Sequence, residues 1–531
     1  MDEPHGTSLQ RDVEVAQAAG IIALGNIASR LLGLVRVMVM SGLFGAGPHV
    51  DALNAALRVP ITLYDLLIGG MTSSVLIPVL SDYAISERRT ELWHLLSILI
   101  SIAVLILCGV VLLGELLAPQ VARLLVEGLS PPYQALTTDL LRLVLPAVIF
   151  LSLASILSGS LYALKQFTLP AFTAAIFNAG MVVVALALGR RWGVHSMAAG
   201  LLVGAALQIA LQLPGLRGAR LHFALDLHHP ALRRIARLYL PILIGLVVDS
   251  LAVFLSYNLA SRTGEGSISW MAYAATIIQF PLGLIVTAVS IAILPTLSRQ
   301  AGAEEVGPFR ATLAQALRFV LTLIIPATVG LYVLANPIIS IIFEHGDFTP
   351  MDTLATAEAL RYALLGLLFT AVDQPLIFAF YAHKDTLTPA LVGAGATVLY
   401  VLAALIPWWS GVLTLPILVL VNSLKLTVHA ITMLLLTRRR LGGLGDHRLW
   451  SLTLKATLAS LVMAGVTCGI MRVLRTGTPP GKLGELLVVC SAGGVGVAVY
   501  GLMALILRLE DIHLIRTVFS DSLNRLTMGK R

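Results

Sequence analysis

The chain has 531 residues, of which 57% are hydrophobic and 12% charged, and a formal net charge of +8. Against roughly 25% charged residues in soluble proteins, that composition excludes a water-soluble globule and makes the bilayer the chain's solvent. The positive balance is explained by basic loops held on one side of a membrane and by anionic lipid head groups, so nucleic acid is not expected as a partner.

A polar segment, 1–16, contains acids and precedes an apolar run long enough to span, so no cleavable signal peptide is expected and the first helix stays as an anchor. Crossing a ~30 Å hydrocarbon core takes about 20 helical residues. Runs of that length are predicted at 17–44, 51–80, 92–118, 137–164, 170–189, 194–214, 236–261, 267–297, 312–343, 355–382, 388–409, 411–437, 450–474 and 484–508. A β-barrel would instead alternate polar and apolar residues over ~10-residue segments. The fold class is therefore an all-α integral membrane protein of about fourteen transmembrane helices.

Basic residues cluster after even-numbered spans: Arg88 and Arg89, Lys165, Arg217, Arg220, Arg233, Arg234, Arg237, Arg299, Lys384 and Arg438 to Arg440. Positive residues stay inside, which places both termini in the cytoplasm, although Arg190, Arg191 and Arg262 follow odd-numbered spans. Cys108, Cys468 and Cys490 each lie within an apolar run, suggesting neither a disulfide framework nor a metal site.

Two stretches recur. YALKQFTLPA at 162–171 returns as YAHKDTLTPA at 381–390, an offset of 219, and LIPVLS at 76–81 returns as ILPTLS at 293–298, an offset of 217. Two near-equal offsets suggest two six-helix halves of the same orientation, 17–220 and 221–440, related by a parallel repeat. The alternative is that Tyr-Ala-x-Lys and Pro are simply common at cytoplasmic helix ends. Spans thirteen and fourteen (441–510) would be an appendage, followed by a cytoplasmic tail, 511–531. In that tail Ile515, Val518, Phe519, Leu523 and Leu526 fall near helical spacing, so either a surface amphipathic helix or a solvated tail fits.

Proteins with two such halves usually bind substrate near the membrane midplane and expose it alternately to either side. Charged residues inside spans point to the site, since each costs a few kcal/mol unless it faces a cavity or partner. In span one Arg30 and Arg36 lie six residues apart, each within about 60° of one face. Two inward guanidinium groups suit a phosphate-like anion; the alternative is that one or both reach an interface. Arg58 and Asp65 share a side of span two, beside Pro60 and Gly69-Gly70, and Asp65 could pair with Arg30 or Arg36. Asp249 in span seven and Asp373 in span ten are candidate ion or proton sites, with a structural pairing of Asp373 and Lys425 as the alternative. Lys425 and His429 share a face of span twelve, where a hydrogen-bonded interior histidine is expected. No P-loop, GxSxG, HExxH or CxxC occurs, so the chain is not read as an enzyme. No cofactor is expected, and uphill transport would draw on membrane potential, a Na⁺ or H⁺ gradient, or a partner.

The stretches SRLLGLVRVMVMSGLFGAGPHVDALNAALRVP (29–60), IPVLSDY (77–83), SISWMAYAATIIQFPLGLIVTAVSIAILPTLSR (267–299), FEHGDFTPMDT (343–353) and FYAHKDTLTPA (380–390) resemble the MurJ/MviN lipid II flippases. These belong to the multidrug/oligosaccharidyl-lipid/polysaccharide exporter superfamily. The resemblance implies a fourteen-helix two-lobe fold in the bacterial inner membrane. It further implies flipping of an undecaprenyl-diphosphate-linked peptidoglycan precursor from the inner to the outer leaflet. Membrane lipids and cell-wall synthesis proteins would be partners, and the last two helices would form a groove for the lipid tail.

On this resemblance Arg30 and Arg36 fall on the family's diphosphate-binding arginines, and Ser29 and Asp51 also match. Elsewhere the chain departs: Val37 stands where an acid is frequent, Tyr64 and Asp65 where cations are common, Ala275 and Thr276 where an acid–arginine pair is usual, and Asp373-Gln374 where a base is frequent. The acidic ligands of sodium-coupled members are missing from LSYNLAS at the end of span seven, where Asp249 is the candidate substitute. Substrate binding is accordingly expected at Arg30, Arg36, Arg58, Asp51, Asp65 and Lys425. Two other readings stay open: transport of another polyprenyl-linked glycan or cation-coupled export through Asp65, Asp249 and Asp373, and a non-transporting scaffold.

Overall fold

A computed structural model describes residues 5–85, 89–443, 449–477 and 481–509. Among these, fourteen helices are long and apolar enough to cross a membrane. The first of two compact units runs to Ser269 and takes in His345–Thr349. It holds α1 (His5–Phe44, apolar from Gly20), α2 (Pro48–Ser81), α3 (Arg89–Leu125), α4 (Pro131–Ala163), α5 (Thr173–Trp192), α6 (His195–Leu216) and α7 (Pro230–Ser261). The second comprises Trp270–Glu344 and the chain from Pro350 on. It holds α8 (Ser267–Gly302) beyond its first turn, α9 (Val306–Val333), α10 (Pro350–Ala382), α11 (Leu387–Trp409), α12 (Leu415–Leu441), α13 (Leu449–Thr476) and α14 (Lys482–Ile506). The tail at 511–531, Arg88 and residues 1–4 lie outside the described residues.

All fourteen expected spans are present, with revisions at their ends, the first helix beginning at His5 rather than at 17. The ninth stops at Val333 rather than running to 343, because Leu334 leaves the helical conformation and a separate helix, Ala335–Phe343, begins around Pro337. Proline lacks the N–H that a continuing helix would need and suits the first turn of a new one. The third extends past its expected limits, through Pro119 to Leu125.

The first unit is centred on a leucine-rich cluster in which Leu76, Leu80, Leu92, Leu95 and Leu96 are fully buried between α2 and α3. Where α5 and α6 cross, small residues replace bulk: a β-carbon on Gly204 would lie 2.5 Å from the Phe177 carbonyl oxygen, and one on Gly180 2.8 Å from the Gly204 Cα. Close backbone approach of this kind is how helices associate where the hydrophobic effect between them is weak. In the second unit α13 and α14 pack on α9, where Tyr500 donates to the Thr322 carbonyl at 2.7 Å and Ala456 and Ala459 are fully buried.

The repeated motifs share one backbone device. Lys165 and Lys384 both adopt left-handed φ of 60°. At each, the next residue's N–H reaches back five residues, Gln166 to Leu161 and Asp385 to Phe380, and the lysine's own N–H reaches back three, to Tyr162 and Tyr381. This paired pattern closes α4 and α10 identically, and in both cases a lysine occupies the position where glycine is usual. A second correspondence was not expected. α2 widens into π-helical turns at Asp65–Gly69 and Thr72–Leu76, and α8 does so at Leu282–Thr287. Residues 65 and 282 are 217 apart, the offset of the LIPVLS pair.

Candidate functional site

In the first unit, α1 packs along α5, with Asn178 donating to the Ser29 carbonyl at 3.3 Å. Arg30 is half-buried beside that contact. Arg36 is also half-buried, and its Nη1 donates to the Met181 thioether at 3.6 Å. A thioether is a weak acceptor, and no acidic side chain pairs with Arg36 among the described residues. Val37, next to it, is buried.

Arg58 projects from α2 with its Nε sealed from water and without an acceptor. Its charge acts on Asp65, two turns later, and on Tyr257 of α7. Asp65 opens the first wide turn of α2. The extra residue there leaves main-chain carbonyls outside the helical ladder, and Tyr239 of α7 donates its hydroxyl to those of Leu66 and, at 3.4 Å, Asp65. A hydroxyl chain lies alongside: Tyr64 to Ser155 at 3.3 Å, and Ser155 to Thr72 at 2.6 Å. Tyr64 stands where cations are common in the resembled family, so neutral hydroxyls occupy that side of α2. Asp249 is exposed on α7.

Asp51, expected among the substrate-binding residues, caps a helix start. It is fully buried, and both carboxylate oxygens are engaged at the first turn of α8. Oδ2 accepts the Gly266 N–H at 2.7 Å, while Oδ1 accepts the Ser269 N–H at 2.7 Å and the Ser269 hydroxyl at 2.5 Å. An anion here satisfies the otherwise orphaned N–H groups of a helix start and complements its dipole. With no exposed surface, Asp51 braces the start of α8.

In the second unit, α10 and α12 bring Asp373 and His429 together, with Oδ2 2.7 Å from Nδ1. The interior histidine expected at 429 is therefore half of an intramembrane pair. The backbone of Pro389, in the second copy of the repeated motif, also bonds the imidazole, and Lys425 acts on it electrostatically. Asp373 is buried, and its Oδ1 has no hydrogen-bond partner. Gln374 faces Thr287 in the wide turn of α8, at 3.5 Å. Among the described residues no group of three or more metal-ligating side chains forms.

The arrangement offers two chemistries. Arg36 on α1 and Arg58 on α2, which form no acidic ion pair among the described residues, can bind an anion, and a buried carboxylate–imidazole pair on α10 and α12 can hold or release a proton. Sequence reasoning missed Tyr239, Ser155 and Thr72. A tyrosine one turn after Arg233, Arg234 and Arg237 was the available signal, but its partners are main-chain carbonyls freed by a wide turn that no periodicity reveals.

The family model described as lipid II flippase MurJ matches residues 40–486. A probable lipid II flippase MurJ of Rickettsia prowazekii (strain Madrid E) is 31% identical over 380 residues, covering 70% of this chain and 73% of that one. One from Vibrio cholerae serotype O1 is 30% identical over 514 residues, covering 93% and 96%. Among solved structures, the inward closed conformation of a lipid II flippase MurJ superposes with a TM-score of 0.77 at 25% identity, covering 93% of this chain and 99% of that one. An inward-facing multidrug transporter of the MATE family shares the fold, with a TM-score of 0.68 at 16% identity over 79% of this chain and 96% of that one.

Proposed function

Because the chain belongs to the lipid II flippase MurJ family, we propose that Arg30, Arg36 and Arg58 bind the diphosphate of lipid II while the protein carries it from the inner to the outer leaflet of the bacterial inner membrane. The observation that carries this reading is the state of Arg36 and Arg58, cations within membrane-spanning helices that no carboxylate neutralises by an ion pair among the described residues. Such charges cost a few kcal/mol in a membrane protein and are retained where function needs them. A diphosphate would give each guanidinium charge-assisted, bidentate hydrogen bonds. Lys425 is a further candidate cation, Asp65 moderates Arg58, and Asp51 positions the framework.

The Asp373–His429 pair supports a second element, coupling of the transport cycle to a proton or to membrane potential, with Asp249 as an additional candidate. Both termini belong in the cytoplasm on the distribution of basic loops. Delivery to cell-wall synthesis proteins on the outer face is the partnership the substrate implies.

The test is to express the chain in bacteria whose own lipid II flippase can be shut off, and to follow growth together with arrival of lipid II in the outer leaflet. Wild type should restore both, and Arg30→Ala with Arg36→Ala should restore neither while inserting normally. At about 1.5–3 kcal/mol per charge-assisted bond, losing two contacts lowers diphosphate affinity by several orders of magnitude. Full rescue by the double variant would sink the diphosphate assignment. Rescue of growth without lipid II arrival would point to another polyprenyl-linked glycan.

A further inference from the structure

Between α2, α3, α4 and the start of α7, the first unit holds a cavity of about 420 Å³, remote in sequence from the arginines of α1 and the pair on α10 and α12. Ile68, Met71, Leu99, Leu107, Ile156 and Ile235 wall it, and Arg233 is its one charged lining residue. The size is within the roughly 300–1,000 Å³ of ligand pockets. The walls offer ordered water almost no partners, so the chemistry they fit is a hydrocarbon chain.

The neighbouring segment gives the cavity's surroundings the chemistry of a lipid interface. Residues 219–227 join α6 to α7 as an extended strap along α3. The N–H groups of His222 and Ala224 donate to the hydroxyls of Ser97 and Ser101, one helical turn apart, at 3.2 and 3.1 Å. Because side chains alternate along extended backbone, Leu221, Phe223 and Leu225 form a single outward row, with Leu227 exposed in the turn that follows, and Phe223 is 75% exposed. Arg217, Arg220, Arg233, Arg234 and Arg237 flank this row. Apolar side chains beside clustered arginines are the pattern of a segment at an anionic lipid interface. Leu227, in the turn that follows the row, also lines the cavity, so the cavity borders that interface. Arg234 is held by Asp82 at 2.7 Å, whereas Arg233 has no ion pair among the described residues.

We propose that this cavity binds one acyl chain of an anionic phospholipid, with Arg233 pairing with the lipid phosphate. The site is separate from the diphosphate reading and does not depend on it. Its consequence lies in α2. Ile68 and Met71 belong to or adjoin the wide turns, and Tyr239, which caps the carbonyls of the first of them, also lines the cavity. A bound chain therefore braces the irregular middle of α2 in this conformation.

The test is photo-crosslinking of the full-length protein in phosphatidylcholine vesicles containing a minority of phosphatidylglycerol that bears a diazirine on its acyl chain. Labelling is expected to concentrate on 67–76 and 99–107 and to be competed by unlabelled phosphatidylglycerol. Ala103→Trp, which fills the cavity, should abolish it. Arg233→Gln should lower it about fivefold, the ratio corresponding to ~1 kcal/mol for one arginine at an anionic surface. Should Ala103→Trp fail to insert, the surface variant Arg233→Gln and the competition decide the matter. The proposal is overturned if these peptides label no more than the exposed α3 face around Leu112 and Leu116, or if a phosphatidylcholine probe labels them equally. It is also overturned if only a polyprenyl diphosphate competes, which would make the cavity a substrate-tail site.

Discussion

Replacing Asp51 separates a structural carboxylate from a substrate-binding one. Asp51→Ala removes three hydrogen bonds and leaves the Gly266 and Ser269 N–H groups and the Ser269 hydroxyl without their acceptor. At about 1.5–3 kcal/mol per charge-assisted bond, less the desolvation no longer suffered by a buried carboxylate, the loss is about 3–6 kcal/mol. Asp51→Asn is nearly isosteric: its carbonyl can keep both Ser269 bonds, but its amide then meets the Gly266 N–H, donor against donor. One bond lost with one donor left buried costs about 2–3 kcal/mol. Detergent-solubilised protein titrated with denaturant should therefore unfold in the order wild type, Asp51→Asn, Asp51→Ala. The folded fraction of Asp51→Asn should transport lipid II at the wild-type rate in vesicles. An unchanged midpoint for Asp51→Ala would refute the capping role. A folded Asp51→Asn protein that no longer transports would refute the framework assignment and return the residue to the substrate.

Three further outcomes are expected. Tyr239→Phe removes one phenolic donor from the freed carbonyls of α2 and should lower stability by about 1–2 kcal/mol in the same titration, with insertion unaffected. Gly204→Val places a side chain where the Phe177 carbonyl is 2.5 Å away; prying α5 from α6 should cost about 1–3 kcal/mol and expose 177–181 to proteases, whereas Gly395→Ala, with open space around it, should change neither. Asp385, between α10 and α11, is held below its ordinary pKa chiefly by the Thr388 N–H, then by the Thr388 hydroxyl and Arg440. Its folded value lies below the ordinary value of about 3.9, so its contribution is complete above that pH and lost as pH falls through the lower folded value. The protection factor of the Thr388 amide against hydrogen exchange should fall over that acidic window and, in Asp385→Asn, show no such fall.

What could be read from the sequence was whatever is local and apolar. Fourteen spans stand out because each must bury about 20 residues in hydrocarbon, and the repeated Tyr-Ala-x-Lys is visible because its backbone closure needs only neighbouring residues. The end of α9 was misjudged because apolar character continues through Ala335–Phe343 while the backbone breaks at Leu334. Asp51 was recognised by position, yet its partners lie more than 200 residues away, and no spacing rule connects them. Asp373 and His429 were each singled out, but their pairing depends on how α10 packs on α12. Helical periodicity assumes one register throughout a helix, which is why the wide turns of α2 and α8 and the role of Tyr239 stayed hidden.

Those wide turns also bear on ancestry. Asp65-Leu66-Leu67-Ile68-Gly69 and Leu282-Gly283-Leu284-Ile285-Val286 agree at only two of five positions, Leu67 with Leu284 and Ile68 with Ile285, yet both widen the helix at the same point of their half. A π-turn holds one residue more than an α-turn. The shared trait is thus a count of residues, set by a one-codon difference in length, on which the side chains have since drifted. If 17–220 and 221–440 are copies of one repeat, an irregularity carried by both predates their separation. By that reasoning the widened turn in these helices is older than the charges now displayed beside it.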